Sequence, residues 1–314
     1  MAKRILITGA TGFIGRALCR ELQSSYELVA LSRDAKKAAE ILGEGVRIVE
    51  WDGRTTSGWA REVIGAHAVV NLAGESVAGG RWTRFRKDTI RQSRLQGTRA
   101  IIDAIEIAKT RPGVLVQASA IGFYGSRADG TLDEDAPLGK GFLADVCRRV
   151  EAVADKSEAM GVRHVVLRTG VVLGTGGGAL PKLMAPFRFH LGGYVGSGKQ
   201  WFSWISLHDE VRAIRYLIES KRAQGVFNLT APEPVTMKVF CQNLAEVLGR
   251  SAWTAVPGPV LRLLAGEMAE EVLLAGQKVL PKRLTEAGFE FEHRDVRSAL
   301  KAIIQGEAHE HESA

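Results

Sequence analysis

Short, almost continuously apolar runs recur along the first 170 residues, and stretches with helical spacing separate them. Unbroken apolar runs are typical of parallel strands that are covered on both faces. After the first run, Ile14, Leu18 and Leu22 follow at positions i, i+4 and i+8, which predicts a helix with one apolar face. The pattern predicts six strands: RILIT (4–8), ELVALS (27–32), VRIVE (46–50), AVVNLA (68–73), GVLVQAS (113–119) and HVVLRT (164–169).

This alternation predicts an α/β fold with a Rossmann-type doubly wound parallel sheet and a smaller C-terminal lobe. We assign residues 1–170 to the Rossmann domain, with later returns to the sheet around 205–230. Beyond residue 170 the chain becomes rich in glycine, and it closes with an amphipathic helix through Val296, Leu300 and Ile303. We therefore predict a substrate or partner lobe over 171–305 and a disordered tail over 306–314.

The first predicted strand runs into TGATGFIG, in which Gly9, Gly12 and Gly15 precede a helix. In dinucleotide-binding folds the first glycine permits a tight turn, the second lets backbone approach a pyrophosphate, and the third allows close helix–strand packing. The phosphates then lie against free N–H groups at the positive end of the helix dipole. The position of the motif between a strand and a helix predicts a dinucleotide cofactor.

The end of the second predicted strand indicates which dinucleotide binds. An acidic residue there would bind the ribose 2′-hydroxyl of NAD, but this chain has Ser32 and Arg33. A guanidinium offers a planar donor fork to a 2′-phosphate, which favours NADP(H), although Asp34 follows directly. Asp52 is placed to meet the adenine amino group. Small residues after the fourth strand are predicted to let backbone pass the phosphates and ribose, namely Asn71, Leu72, Ala73 and Gly74.

Charge and cysteine content narrow the choice of partners. The 314 residues carry a net charge of +7, and the densest basic stretch is RWTRFRKDTIRQSR (81–94). No nucleic-acid fold signature accompanies it, so we interpret it as a solvated helix face and expect no nucleic-acid partner. Three widely separated cysteines suggest neither disulfides nor a metal site, and no apolar run approaches the length of a membrane span. These features favour a cytoplasmic protein with no metal and no membrane partner.

The sequence resembles the short-chain dehydrogenase/reductase superfamily, in its extended, epimerase-like branch. More narrowly, NLAGESV, SRLQGTR, FLADVCRRVE, GSGKQWFSWI and GQKVLPKRL resemble atypical epimerase-family proteins that carry an extra C-terminal domain, the group of the bacterial cell-division-inhibitor-like proteins. Relatives of this kind often pair through the helices after strands four and five, so the resemblance implies a possible homodimer through 81–108. It also implies cofactor contacts at Gly9, Thr11, Gly12, Phe13, Ile14, Ser32, Arg33, Leu72, Ala73, Arg94 and Val172.

The superfamily's catalytic Tyr-x-x-x-Lys pair is missing from this chain. In the segment GFLADVCRRVE, Phe142 or Leu143 stands for the tyrosine and Val146 or Cys147 for the lysine. The resemblance places the superfamily serine at Ser119, in ASAIGFYGS (118–126), and Tyr124 lies in the same segment. We predict Ser119 and Tyr124 as the catalytic residues, with the phenol as proton donor.

Two functions therefore remain open. The first is an NADP(H)-dependent oxidoreductase or epimerase that acts on an unknown small molecule, with Ser119 and Tyr124 handling the proton. The second is a non-catalytic NADP(H)-binding redox sensor or regulatory protein. Loss of the Tyr-x-x-x-Lys pair favours the second, whereas the serine, the tyrosine and a glycine-rich second lobe favour the first.

Overall fold

Seven strands form the central sheet of the protein. The computed structural model describes residues 3–127, 130–189, 191–251 and 254–312. All neighbouring strands of the sheet pair in parallel. The strands are β1 (Arg4–Thr8), β2 (Glu27–Ser32), β3 (Val46–Glu50), β4 (Ala68–Asn71), β5 (Val114–Ala120), β6 (Arg163–Thr169) and β7 (Gly225–Leu229).

The strand order is β7-β6-β5-β4-β1-β2-β3. The chain builds outward from β1 to β3 and then crosses back to β4, which lies on the other side of β1. This reversal makes the sheet doubly wound and confirms the predicted Rossmann-type fold. A ligand cleft in such a sheet opens at the carboxyl ends of the strands where the direction reverses, here between β1 and β4.

Helices cover both faces of the sheet and build most of the remaining chain. The apolar side of α1 is buried against the sheet through Leu18 and Leu22, as the i, i+4 spacing predicted. The helices are α1 (Phe13–Leu22), α2 (Ala35–Leu42), α3 (Arg84–Ile107), α4 (Phe142–Ala154), α5 (Lys156–Ala159), α6 (Leu180–Arg188), α7 (Leu207–Glu219), α8 (Met237–Val247), α9 (Gly258–Ala265), α10 (Lys282–Glu286) and α11 (Val296–Glu312).

The chain after β6 also forms a second apolar core, in which Trp204, Phe240 and Leu300 are buried together. Short helical turns occur at Ala60–Val63, Ile121–Tyr124 and Ala269–Leu273. Short strands in the described residues form two-stranded pairs. They are Thr131–Leu132, Val171–Leu173, Gly193–Val195, Trp201–Phe202, Trp204–Ser206, Val235–Thr236, Thr254–Val256 and Lys278–Val279.

The C-terminal tail and the basic stretch 81–94 are two further features that the sequence analysis considered. Helix α11 runs to Glu312, and Ser313 and Ala314 lie outside the described residues, so the disordered tail over 306–314 stays a prediction. In the basic stretch, Arg86 bonds to Glu75 at 3.0 Å and Lys87 to Glu267 at 2.7 Å, so part of its charge is paired within the chain. Within the described ranges, no helix is both long and apolar enough to cross a bilayer.

A buried carboxyl group on α7 gives the fold a pH-dependent element. Glu210 is 1% exposed, and Thr169 Oγ1 donates to its Oε1 at 3.0 Å. Its Oε2 is buried without a hydrogen-bond partner among the described residues. Burial disfavours the charged form and raises the pKa of Glu210 from 4.5 to about 8.

We expect this group to make the protein less stable as pH rises. Between pH 4.5 and about 8 the unfolded chain releases the Glu210 proton while the folded protein keeps it, so the free energy of unfolding falls with increasing pH by up to about 1.4 kcal/mol per pH unit. Urea unfolding of E210Q should show a shallower fall across this window. The exposed Glu290 provides a control, E290Q, which should follow the wild type; an E210Q curve parallel to the wild type would contradict the assignment.

Candidate functional site

A cavity of about 900 Å³ opens at the carboxyl ends of β1 to β4. It begins at the glycine loop after β1 and passes the end of β2 toward the residues after β3. The predicted site residues that line it are Gly9, Thr11, Gly12, Ser32, Arg33, Asp52, Leu72, Ala73 and Gly74. The fold therefore brings together segments that are up to 65 residues apart in sequence.

The glycine loop shapes one end of the cavity. Gly9 has a φ of +67°, which only glycine adopts readily, and a Cβ there would lie 2.8 Å from the backbone of Leu72. A Cβ on Gly15 would lie 2.2 Å from the carbonyl oxygen of Gly9, so the absence of a side chain permits the close approach of α1 to β1. Helix α1 begins after Gly12 with no side-chain cap on its first-turn N–H groups. This end of the cavity thus offers the free N–H groups and dipole end that bind phosphate.

Two cations line the next part of the cavity. Arg33 and Lys37 are both exposed, and the structure gives neither side chain a hydrogen bond or ion pair within the described residues. The carboxylate of Asp34 accepts a hydrogen bond from the Lys37 backbone N–H at 3.0 Å and caps α2. Asp34 therefore has a structural partner and does not require a ribose hydroxyl. Sequence reasoning missed Lys37, although its position one helical turn after Arg33 was a usable signal.

Asp52 lines the far end of the cavity but is also tied to its own loop. Its Oδ1 accepts from the backbone N–H groups of Thr55 and Arg54, each at 2.8 Å, and its Oδ2 accepts from Thr55 Oγ1 at 2.8 Å. These bonds favour the ionised form and lower the pKa of Asp52. Asp52 stabilises the loop after β3, which forms this end of the cavity. Its contact with adenine stays a prediction.

The cofactor contact of Asn71 stays a prediction, and the structure places this side chain inside the sheet. Asn71 is the last residue of β4 and is buried. Its Oδ1 accepts from Thr8 Oγ1 at 2.6 Å, and its Nδ2 donates to Gln117 Oε1 at 2.9 Å. The side chain is therefore used within the sheet, because a buried amide needs partners for both its donor and its acceptor. Only Leu72, Ala73 and Gly74 of the predicted segment reach the cavity.

Phe13, Ile14, Arg94 and Val172 do not line the cavity, and their predicted cofactor contacts stay predictions. Phe13 packs against the glycine-rich loop, where a Cβ on Gly177 or Gly178 would lie within 2.9 Å of its ring. Ile14 and Val172 pack in the core beside the sheet.

Arg94 lies beneath the loop after β4. Its guanidinium contacts Gly74, and its Nη1 donates to the carbonyl oxygens of Glu75 at 2.8 Å and Ile90 at 3.1 Å. Burial lowers the pKa of this guanidinium, and the neighbouring Cys147 and Glu75 oppose that shift. Arg94 therefore supports the cavity wall from within and lies near Cys147 of α4, one of the two positions where the superfamily lysine is missing.

The positions of the missing tyrosine and lysine belong to the apolar interior. Phe142, Val146 and Cys147 are buried, and Phe142 packs edge-on against Trp82 at a ring distance of 5.1 Å. Glu271, from the helical turn Ala269–Leu273, caps α4 by accepting from the N–H groups of Phe142 at 2.7 Å and Leu143 at 2.8 Å. Burial raises the pKa of the Cys147 thiol, so this residue is not a ready nucleophile.

Ser119 and Tyr124 belong to one hydrogen-bonded chain of side chains. Half-buried Ser119 donates to Glu151 Oε1 at 2.5 Å, and Glu151 is held by Arg168. Arg168 Nη1 donates to Tyr124 Oη at 3.1 Å, and Tyr124 donates to Asn228 Oδ1 at 2.7 Å. The chain leads from the carboxyl end of β5 into the interior.

The role of Tyr124 as proton donor to substrate stays a prediction, and the structure places its phenol in the interior. Its side chain is 0% exposed, and its hydroxyl group already has one donor and one acceptor in the protein. Burial raises the pKa of the phenol, the opposite of what a proton donor near neutral pH requires. Tyr124 supports Arg168 instead, and Ser119 is the predicted catalytic residue that retains exposed surface.

The fold and the cavity define a Rossmann-type nucleotide-binding protein. Comparison with known families shows which family the chain belongs to. Residues 5–230 match the NAD dependent epimerase/dehydratase family, and residues 256–303 match a domain of unknown function, DUF1731. The chain belongs to the NAD-dependent epimerase/dehydratase family. The second match covers Glu271, which caps α4.

Relatives are similar over nearly the whole chain. The epimerase family protein SDR39U1 homolog of Arabidopsis thaliana, a chloroplastic protein, is 43% identical over 96% of this chain and 86% of its own length. The epimerase family protein YfhF of Bacillus subtilis is 38% identical over 96% of this chain and 97% of its own length. A crystal structure of human epimerase family protein SDR39U1 (isoform 2) with NADPH superposes with a TM-score of 0.85 at 33% identity, and covers 96% of this chain and 99% of the human chain.

Proposed function

We propose that this protein binds NADP(H) in the cavity at the carboxyl ends of β1 to β4. On this proposal it is an oxidoreductase or epimerase for a small molecule. The observation that supports NADP(H) over NAD(H) is that two cations, Arg33 and Lys37, line the same wall of the cavity. Two unpartnered cations suit a 2′-phosphate, whereas a ribose hydroxyl would need an acceptor, and the nearest one, Asp34, caps α2. The relative crystallised with NADPH supports the same choice.

The residues present fit the whole cofactor. The uncapped N-terminus of α1 would hold the pyrophosphate, and the wall around Asp52 and Trp51 would hold the adenine. The backbone of Leu72, Ala73 and Gly74 would lie along the ribose, and the nicotinamide would then point toward Arg94 and Ser119. A bound nicotinamide cofactor would supply hydride transfer to or from a carbinol or carbonyl carbon of the substrate. Ser119 would orient the substrate oxygen, and Glu151 and Arg168 would hold Ser119.

A charge reversal at Arg33 tests this proposal. R33E should weaken NADPH binding about 100-fold, because it removes a charge-assisted contact and adds repulsion to the 2′-phosphate. NADH lacks this phosphate, so its affinity should change less than about threefold. Titration calorimetry measures both.

K36E is the matched control for R33E. It makes the same change of charge on α2, but Lys36 does not line the cavity. It should leave the NADPH:NADH affinity ratio near the wild-type value. Equal losses for NADPH and NADH in R33E would overturn the cofactor assignment.

One observation favours a second function, a non-catalytic NADP(H)-binding redox sensor. The phenol of Tyr124 is buried, and the positions of the Tyr-x-x-x-Lys pair hold apolar side chains or a buried thiol. A sensor would bind NADPH and NADP⁺ with different effects on the C-terminal lobe, which Glu271 ties to α4. Capture of a partner by only one redox form of the complex would support the sensor.

A further inference from the structure

The direction of the Ser119 hydrogen bond limits what Ser119 can offer a ligand. A serine hydroxyl has one proton and two lone pairs. The Ser119 proton points to Glu151 Oε1 over 2.5 Å, a short distance typical of a bond to an ionised acceptor. With its proton in this bond, Ser119 Oγ has only lone pairs left for a further partner.

The Glu151 carboxylate has no proton of its own to return. Arg168 binds both of its oxygens, with Nη2 at 2.8 Å from Oε2 and Nε at 3.1 Å from Oε1. Glu151 is 7% exposed and Arg168 5%, so the pair is shielded from water. Arg168 is itself fixed, since its guanidinium lies 3.4 Å from the centre of the Phe123 ring. An ionised carboxylate only accepts hydrogen bonds, which fixes the bond's direction from Ser119 to Glu151.

The sulfur of Cys147 is a second acceptor near Ser119, but it competes only weakly for the Ser119 proton. The Cys147 thiol lies close enough to Ser119 to interact with it, but its Sγ donates to the carbonyl oxygen of Ala120 at 3.7 Å. Sulfur is a weak acceptor, whereas a bond to an ionised carboxylate is about twice as strong as a neutral one. The Ser119 proton therefore stays with Glu151.

We propose that Ser119 accepts a hydrogen bond from the ligand, so that the site selects a group that carries an O–H or N–H. A secondary alcohol satisfies this requirement and the corresponding ketone does not. Ser119 is then the residue that determines specificity, and Glu151 is a positioning residue that acts through it. This inference rests on the proposed function, because it places the ligand beside the nicotinamide.

Matched probes with one carbon skeleton test the proposal. Cyclohexanol and cyclohexanone would each be titrated into the protein saturated with NADP⁺, with binding followed by saturation-transfer NMR. The wild type should bind the alcohol about fivefold more tightly than the ketone, the equivalent of one neutral hydrogen bond. S119A should remove the difference and leave ketone binding unchanged.

A change at Glu151 should reduce the preference. In E151Q the acceptor of the Ser119 proton loses its charge, and either orientation of the amide sets its NH2 group against an Arg168 donor. The bond that holds the serine proton is then weaker, and the hydroxyl can also donate to a carbonyl oxygen. A purely structural role for Glu151 would weaken both probes equally. D145N is the control on the same helix, because Asp145 makes exposed ion pairs with Arg148 and Arg149, and it should keep the wild-type preference.

The outcomes separate this inference from the proposed function. Equal affinity for both probes in the wild type, a preference for the ketone, or no binding of either probe to a protein that holds NADP⁺ would overturn the role of Ser119. An alcohol preference that survives in S119A would do the same, and this result stands even where E151Q does not fold. A protein that fails to bind NADP⁺ at all would overturn the proposed function instead.

Discussion

Replacing Gly15 by alanine should lower the free energy of unfolding by about 3 kcal/mol. The new Cβ would lie 2.2 Å from the carbonyl oxygen of Gly9 and 2.7 Å from the Cα of Ala10. Both are backbone atoms, so no flexible side chain can move aside. The loop has little freedom to shift, because Gly9 is in turn packed against the backbone of Leu72. Urea unfolding would measure the loss, and NADPH affinity should fall with it.

G12A is the matched control, because its effect should fall on binding and not on stability. Gly12 has an extended backbone conformation, with φ of −75°, and a Cβ there would meet only the Gly9 oxygen at 3.1 Å. Its stability should stay within about 1 kcal/mol of the wild type. The methyl group would stand between the N-terminus of α1 and the pyrophosphate, and should weaken NADPH binding about tenfold or more. Equal destabilisation by G12A and G15A would contradict this account of the loop.

Removing the Arg168 guanidinium should destabilise the protein by about 3–5 kcal/mol. R168A would leave the buried Glu151 carboxylate without its ion pair, and Tyr124 without the donor to its hydroxyl oxygen. Urea unfolding of R168A beside the wild type would measure the loss.

Replacing both partners should cost much less than replacing one. A double variant, Glu151→Leu with Arg168→Met, removes both charges and fills the space with apolar atoms, which often makes the loss of a buried pair nearly neutral. It should recover most of the stability lost in R168A, although Ser119 then has no acceptor. A loss below about 1 kcal/mol in R168A, or no recovery in the double variant, would contradict the role of this pair.

The fold was predictable from sequence because its signals are local. Each of the six predicted strands is a continuous apolar run, and parallel strands covered on both faces require such runs. Strand β7 was predicted only as a return to the sheet around 205–230 and without bounds of its own, because its five residues, GVFNL, carry a short apolar signal interrupted by Asn228. The side chain of Asn228 accepts a hydrogen bond from Tyr124, and the pattern of apolar residues along the chain does not predict such a contact.

The candidate site divides in the same way. The glycine loop and Arg33 were predicted because each lies in a short segment whose neighbours in sequence are also its neighbours in space. The interior position of Tyr124 could not be predicted, because its orientation depends on Asn228, 104 residues away, and on Arg168, 44 residues away. Glu151 was missed for the same reason, since its position near Ser119 becomes visible only when α4 packs against β5. A serine and a tyrosine five residues apart predict a shared segment and do not predict a shared active site.

A calorimetric titration of the wild-type protein with NADPH, and separately with NADH, is the most direct test of the central claim. Arg33 and Lys37, which have no side-chain partner among the described residues, predict one site per chain that binds NADPH at least about tenfold more tightly than NADH. The difference should shrink as salt is added, because both cations are exposed. Equal affinity for the two nucleotides, or tighter binding of NADH, would contradict it.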